Sequence, residues 1–480
     1  MRLYNTMSRQ VEDFVPLNPP EVKLYACGFT VYDYTHLGHL RKYTMDDILV
    51  RTLEHHGFEV KFVQNVTDVG HLTSDADTGE DKLEKGAKKY GKTVWDIARE
   101  FEDYFWYSMD LMGNKRPDIS SRATEHIEAQ LDLVKTLEEK GYTYEIPGDG
   151  IYFDTAKLAD YGQLARLNPA GQQEGARIGV VEGKRQTTDF ALWKFERAGE
   201  NRTMVWPSPW HERSFPGWHV ECSAMAMQYL GEQLDIHTGG IDHIPVHHPN
   251  EIAQSEAATG KKPFVRYWVH HNFLLVEGEK MSKSLGNFFT VDDVINRGFD
   301  PRALRLLFLT SHYRGEMNFT WENLAGMQKS YERLLRQIKE LDEASTDLPP
   351  AGVSQMSEPA RELHDQFFAA MNDDLNTPEA VAVMWQTLKT AMPAQEKLAL
   401  LRVFDSILQL DLANPDAHLT ETEIDPAQLP EAARQLLTER QQAREKGDWD
   451  QADSLRNQLK KMGYEIADTS TGQKISQITT

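Results

Sequence analysis

Apolar positions first gather in a short run from Val22 to Cys27, which breaks at Cys27-Gly28. The spacing then becomes helical: after Leu40, the residues Met45, Ile48, Leu49 and Leu53 fall on one face of a 3.6-residue period, and Gly57 closes the segment. Phe58, Val60 and Phe62 alternate as the next strand should. Together these predict a β-α-β opening whose first turn reads Tyr34-Thr35-His36-Leu37-Gly38-His39. Helix-like and strand-like segments alternate to about residue 315, with a polar, Gly-rich stretch from Asn168 to Lys184 that reads as a loop within a subdomain inserted at about 115–215. From Trp321 onward the spacing is helical only, over 321–343, 360–392 and 394–411, and a Pro- and Thr-rich run over 412–430 ends it. A helix pair around Gly447 and a short apolar Tyr464-Glu465-Ile466 follow. The expected architecture is therefore an α/β, Rossmann-like catalytic domain over 1–315, an all-α helical bundle over 316–420 and a small C-terminal module over 421–480. No solenoid-type repeat is present in the sequence.

Composition narrows the class. At 480 residues the chain has room for two to four domains, and 40% hydrophobic residues exclude a disordered one. No apolar stretch reaches the length of a membrane span, and the start lacks a basic-then-apolar signal pattern, so a cytoplasmic protein with no membrane partner is expected. Two cysteines rule out a disulfide framework and leave core thiols, metal ligands or reactive groups as readings of Cys27 and Cys222. A net charge of −22 does not exclude a nucleic-acid partner, because phosphate binding depends on local basic surface. Arg434 to Lys461 carries seven Lys/Arg against five Asp/Glu, with Arg440, Arg444, Arg456, Lys460 and Lys461 in a helical pattern. Lys82 to Lys92 holds five lysines against Glu84 alone; taken by itself it reads as solvated helix surface.

Neither GxGxxG nor GxxxxGK[ST] occurs, which argues against a dinucleotide fold and a P-loop. His36-x-Gly38-His39 instead stands where a strand hands over to a helix. Free backbone N–H groups and the helix dipole favour an anion there, and two imidazoles can donate to a phosphoryl group. By itself the pattern reads first as two histidines that cap or pack a helix. Lys280-Met281-Ser282-Lys283-Ser284 changes the balance, since two cations at spacing three on a loop after an apolar strand can neutralise a triphosphate as pyrophosphate leaves. Cys27, Cys222 and the His247-His248-Pro249-Asn250-Glu251 cluster offer a zinc-type donor set, although spacing alone favours two buried thiols and a polar helix start. Pro249 suits the first turn of a helix running to Gly260.

With HxGH and KMSKS in this order, the sequence resembles the class I aminoacyl-tRNA synthetases, and over nearly its whole length the cysteinyl-tRNA synthetases. The residues that carry the resemblance include Cys27 to Tyr34, Gly217-Trp218-His219-Val220-Glu221-Cys222-Ser223, Asp235 to Gly240, KMSKSLGN and Met371 to Pro378. The resemblance implies ATP-dependent ligation of L-cysteine to tRNA(Cys) through cysteinyl-adenylate, in a class I synthetase fold. It implies His36, His39, Lys280 and Lys283 as catalytic residues, with Thr30 and Gly38 also at ATP. Gly28, Thr67, Trp218, His237 and Asp242 match the family's cysteine pocket. Cys27, Cys222, His247 and Glu251, rather than His248, match its zinc ligands. One Zn2+ per chain, Mg2+ with ATP and a monomeric state are expected. The sequence departs from the family at Phe29, Pro245-Val246, Pro249 and the acidic stretch 69–81. Two rivals are a related cysteine ligase acting on a small amine and a catalytically silent tRNA-binding relative. The long helical extension argues against the first, and the intact signatures argue against the second.

Overall fold

The computed structural model describes residues 1–70, 81–166, 182–197, 199–282, 285–345, 355–419, 426–469 and 472–477. They form two compact units, Met1–Ala413 and Asn414–Thr480.

The first unit starts with a hairpin of β1 (Arg2–Asn5) and β2 (Gln10–Asp13) and continues through β3 (Glu21–Ala26), α1 (Leu37–His55), β4 (Glu59–Val66), α2 (Lys82–Tyr90), α3 (Val94–Met112) and β5 (Ile119–Arg122). After α4 (Ile127–Glu139) come β6 (Thr143–Ile146), β7 (Gly150–Phe153), β8 (Phe190–Phe195) and β9 (Ser214–Pro216), a four-stranded antiparallel sheet inserted into the parallel fold. The polar stretch expected as a loop from Asn168 lies, up to residue 181, outside the described residues. The chain returns to the main layer with α5 (Trp218–Leu230), β10 (Leu234–Gly240), α6 (His247–Thr259) and β11 (Val265–His271).

The main sheet runs β11-β10-β3-β4-β5, and every neighbouring pair is parallel. From β3 the chain first builds outward through β4 and β5, then comes back to the other side of β3 as β10. That reversal opens a crevice beyond the carboxyl ends of β3 and β10, where doubly wound sheets bind their ligands. The apolar spacing around Leu40 to Leu53 is the buried side of α1. This helix also buries Arg41, Asp46 and Asp47, and each has charged or carbonyl partners.

Beyond β11, a small sheet of β12 (Leu274–Val276), β13 (Glu279–Lys280) and β14 (Met317–Phe319) is interleaved with α7 (Val291–Asn296) and α8 (Pro301–Leu309). The helical region then follows as α9 (Trp321–Ala344), α10 (Glu358–Asn372), α11 (Thr377–Lys389) and α12 (Ala394–Leu408). The single helical pattern over 360–392 is thus two helices. Asp374 and Leu375 take left-handed backbone angles, φ 58° and 56°. The Asp374 carboxylate accepts from Tyr4 N (2.7 Å), the Tyr313 hydroxyl (2.5 Å) and Arg314 Nε (2.6 Å). Asn376 then caps α11 just before Pro378. Three tertiary hydrogen bonds override a continuous apolar period. Fully buried Arg305 ties this region to the α/β layer, donating to Asp47 of α1, to Asn114 after α3 and to the Leu408 carbonyl ending α12.

The second unit pairs α13 (Glu431–Glu445) with α14 (Trp449–Lys461) and closes with a hairpin of β15 (Tyr464–Thr469) and β16 (Gly472–Gln477). Arg440, expected on a basic face, is buried and bidentate to Asp468 at 2.8 Å, and Arg444 shares the same carboxylate. Trp449, the first residue of α14, is 62% exposed, and Ala443, Ala452 and Leu455 pack together in the seam between the two helices.

Candidate active site

His36 caps α1. Its Nδ1 accepts from Gly38 N (3.1 Å) and His39 N (3.3 Å), while Leu37 N donates to the Phe289 carbonyl (2.9 Å). The first backbone N–H groups, expected to be free for an anion, are therefore occupied, and the imidazoles take over that task. Because Nδ1 of His36 accepts, the neutral ring carries its proton on Nε2. His39 stacks on His36 with ring centroids 3.6 Å apart, and its own Nδ1 is buried without a hydrogen-bond partner. Burial lowers the His36 pKa to about 4 and holds His39 well below its ordinary value, with neighbouring His36 adding to the effect. Both rings are neutral donors at pH 7.

Met281 of the KMSKS segment reaches the same turn. A Cβ on Gly38 would lie 2.7 Å from its Cε. Asn287 holds the loop by accepting from Ser282 N (2.7 Å) and donating to the Lys280 carbonyl (3.2 Å). The exposed Lys280 ammonium lies 4.3 Å from the centre of the Phe273 ring. Lys283 lies outside the described residues.

The two thiols meet despite their separation in sequence. Cys27 follows β3 and Cys222 lies in α5, which begins at Trp218. His247 and Glu251 sit in the first turns of α6, which starts two residues before Pro249. One donor atom from each of these four residues falls within 4.8 Å of all the others, and all four are buried. Glu251 accepts from His247 Nε2 and His237 Nε2, both at 3.0 Å. Although burial opposes it, the Glu251 and Cys222 charges push His247 up to about 10. Against the same penalty, His237 and His247 hold the Glu251 carboxyl far below its usual range. Burial raises the Cys27 thiol; hydrogen bonding to Cys27 and then burial raise Cys222. Two thiols, an imidazole and a carboxylate at this spacing fit a borderline-soft divalent cation. A second set, Cys27, His237, His248 and Glu251, shares two members with the first. Its His248 lies 3.3 Å from Cys27 Sγ and is engaged at Nδ1 with His270, at 2.8 Å.

A cavity of about 440 Å³ joins the two halves. Cys27, Cys222 and His247 line it, as do Gly28, Thr30, Thr67, Trp218, Asp242, His36, Gly38, His39 and Lys280. His237, expected in the cysteine pocket, lies behind the lining and holds Glu251 instead. Gly28 is demanded by close approach, since a Cβ would fall 1.6 Å from the Asn65 carbonyl oxygen. Its N–H donates to Asn65 Oδ1 (2.7 Å), and Asn65 Nδ2 donates to Thr67 Oγ1 (3.0 Å). Phe29 packs on Phe105, with ring centroids 4.2 Å apart.

Sequence reasoning passed over Asn65, Lys42, His243 and His271, which also line the cavity. Lys42 was detectable in principle, three residues after His39 on the same helix. Its Nζ donates to the Cys27 carbonyl (2.8 Å) and pairs with Asp46 (2.7 Å).

Comparison with known proteins accords with this geometry. Residues 13–329 match the model of the tRNA synthetases class I (C) catalytic domain, 366–409 a DALR domain, and 427–475 the cysteinyl-tRNA ligase anticodon binding domain. The chain is 45% identical to Cysteine--tRNA ligase 1 of Burkholderia lata over 99% of its own length and 96% of the relative's. It is 42% identical to Cysteine--tRNA ligase of Treponema denticola over 98% of each chain. Among solved structures, Agrobacterium radiobacter K84 LeuRS in a ternary complex with tRNA and LeuAMS superposes with a TM-score of 0.60 at 13% identity, covering 85% of this chain and 86% of that one. Mycobacterium tuberculosis methionyl-tRNA synthetase with methionyl-adenylate gives 0.55 at 16%, covering 86% and 96%. These two likenesses concern the fold alone. On the catalytic-domain match and the full-length identities, the chain belongs to the cysteinyl-tRNA synthetase family of class I aminoacyl-tRNA synthetases.

Proposed function

We propose that the protein joins L-cysteine to tRNA(Cys) in two steps, forming cysteinyl-adenylate and pyrophosphate from ATP and then passing the cysteinyl group to the tRNA 3′ end. The observation that carries this reading is that one cavity is lined both by two thiols and an imidazole of the buried four-residue donor set and by the stacked His36–His39 pair. Cysteine and ATP have complementary places there. His36, through Nε2–H, and His39 donate to the α-phosphate as charge develops in the transition state. Lys280 and Lys283 neutralise the departing pyrophosphate, and Mg2+ accompanies the triphosphate. Thr30 and Gly38 border the nucleotide, Gly38 because a side chain there would collide with Met281.

Gly28, Thr67, Trp218 and Asp242 surround the amino acid, with Asp242 exposed enough to meet its ammonium group. His237 acts from behind by orienting Glu251. Cys27, Cys222, His247 and Glu251 hold zinc; three of the four line the cavity, whereas neither histidine of the second set does. A bound zinc supplies selectivity for sulfur over the near-isosteric hydroxyl of serine, which shape alone separates poorly. The match over 427–475 to an anticodon binding domain favours tRNA over a small amine as the acceptor. The exposure of Trp449 is compatible with stacking on an unpaired base. No helix among the described residues is long and apolar enough to cross a membrane, and we assign the enzyme to the cytoplasm, acting as a monomer.

The test is ATP–pyrophosphate exchange with cysteine and with serine, followed by charging of tRNA(Cys). Cysteine-dependent exchange with charging is expected. Exchange driven equally by serine, or charging of no tRNA, overturns the proposal.

A further inference from the structure

Lys42 is one of two lysines among the described residues that line the cavity, and the chemistry above leaves it unused. The other, Lys280, belongs to the KMSKS segment and sits on the Phe273 ring. Lys42 lies on α1 one turn after His39, and its ammonium donates to the Cys27 carbonyl (2.8 Å). It therefore stands where the end of β3, which supplies Cys27, meets the helix that opens with His36 and His39. Its charge is felt in both halves of the cavity. Burial raises the Cys27 thiol and Lys42 works against it, while burial and then His36 lower the His39 pKa and Lys42 adds to them. Buried partners hold the ammonium in place. Asp46, one turn further along α1, pairs with Lys42 through Oδ2 (2.7 Å) and accepts from His271 Nε2 at Oδ1 (2.9 Å), and His271 lines the cavity too. An ammonium has three N–H donors. The Cys27 carbonyl and Asp46 engage two at most, so at least one is left without an oxygen acceptor among the described residues. The Tyr43 ring, its centre 4.4 Å from Nζ, attracts the cation but supplies no such acceptor.

We propose that the Lys42 ammonium binds the carboxylate of the amino-acid substrate and so makes an α-carboxylate a condition of recognition at this site. The chemistry selects that group. The donor set marks where the thiol rests and the His36–His39 pair marks the α-phosphate, so the attacking carboxylate must lie between them, where Lys42 stands. One carboxylate oxygen bonds to the α-phosphorus as the bond to pyrophosphate breaks, and the other stays on Lys42. The carboxylate gives up charge in that step. The contact is then no stronger in the transition state than before it, and it serves binding rather than the rate of the chemical step. This inference rests on the ligase reading and adds to it a residue for one end of the substrate.

The experiment compares cysteine with cysteamine, which keeps the thiol and the amine but lacks the carboxylate, by calorimetry on the full-length, zinc-loaded enzyme. Lys42→Met should weaken cysteine binding by roughly tenfold to a hundredfold, the usual effect of losing a charge-assisted hydrogen bond, and leave cysteamine binding within about twofold. In pyrophosphate exchange it should raise the KM for cysteine, with smaller changes in kcat and in the KM for ATP, and zinc content should be unchanged. Lys42→Arg should recover part of the cysteine affinity. Because Lys42→Met leaves the buried Asp46 charge with His271 alone, Lys42→Met/Asp46→Asn is measured beside it and should show the same split between the two ligands. Equal loss of cysteine and cysteamine overturns the proposal and makes Lys42 a tie between β3 and α1. Unchanged cysteine affinity in either variant also overturns it, as does an unaltered enzyme that binds the two ligands alike. Absence of cysteine-dependent exchange in the unaltered enzyme would overturn the ligase reading instead, and the two affinities would still judge Lys42.

Discussion

Arg41 offers the sharpest test of how the site is held. Its buried guanidinium donates to four carbonyls: Asn272 (2.9 Å) and Phe273 (3.1 Å) in the cavity wall, and His312 (3.0 Å) and Gly315 (2.7 Å) in the connection before β14. Two residues before it on α1 stands His39, and the Phe273 ring carries the Lys280 ammonium. One side chain thus fixes the distance between the two signature segments. Arg41→Met leaves four acceptors in a poorly hydrated space. At about 1 to 3 kcal/mol each, less what is recovered by no longer burying a cation, the net loss is on the order of 3 to 5 kcal/mol. For the 413-residue unit, an unfolding entropy of about 2.1 cal/mol/K per residue converts this to a fall of roughly 4 to 6 °C in the thermal midpoint. Pyrophosphate exchange at a temperature where the variant stays folded should show a raised KM for ATP, and Arg41→Lys should recover part of it. A midpoint within about 1 °C of the unaltered protein and an unchanged KM would refute the argument.

Four further outcomes are expected. Cys222→Ser should lower bound zinc, measured by atomic absorption, and raise the KM for cysteine more than that for ATP; full cysteine affinity in a metal-free preparation contradicts the donor set. Lys283→Ala should slow adenylation by roughly a hundredfold, the effect of losing one transition-state contact of on the order of 3 kcal/mol, with a smaller change in the KM for ATP. Asp46 is buried, which pushes its pKa up, yet Lys42 and His271 outweigh that and hold it at about 2. The folded form therefore keeps the carboxylate charged while the unfolded chain takes up its proton near pH 4. Asp46→Asn should cost about 2 kcal/mol at pH 7 and progressively less from pH 4 to pH 2, as followed by urea midpoints. Truncation after Ala413 should preserve cysteine-dependent exchange but raise the KM for tRNA with a weaker salt dependence; unimpaired charging would move anticodon reading out of the second unit.

Local spacing made the α/β opening, the HxGH turn and the C-terminal helix pair legible, because each is written within a few consecutive residues. What escaped depends on contacts between distant segments. The break between α10 and α11 comes from Asp374 collecting Tyr4, Tyr313 and Arg314, which no window of sequence contains. Free N–H groups at the start of α1 were a fair expectation for any helix, but the His36 ring folds back over them. The reading of Arg440 as surface charge failed because its acceptor, Asp468, lies beyond the next helix. Cys27 and Cys222 gained meaning only from resemblance, since Cys27 follows a strand, Cys222 lies within a helix, and only the closed sheet brings them together.

The order of strands in the main sheet has a consequence for synthesis. β3, α1 and β4 leave the ribosome early and can pair at once, but the partner on the other side of β3 comes much later. The Lys23 N–H waits for Asp235, 212 residues downstream, and the Tyr4 N–H for Asp374, 370 residues downstream. At about 5 to 20 residues per second, the second wait is roughly 20 to 70 s. Throughout the first wait β3 presents an open, apolar edge of the kind that recruits other strands. That edge stays open while 212 of the 480 residues are added, and slow codons placed shortly before β10 would prolong the exposure.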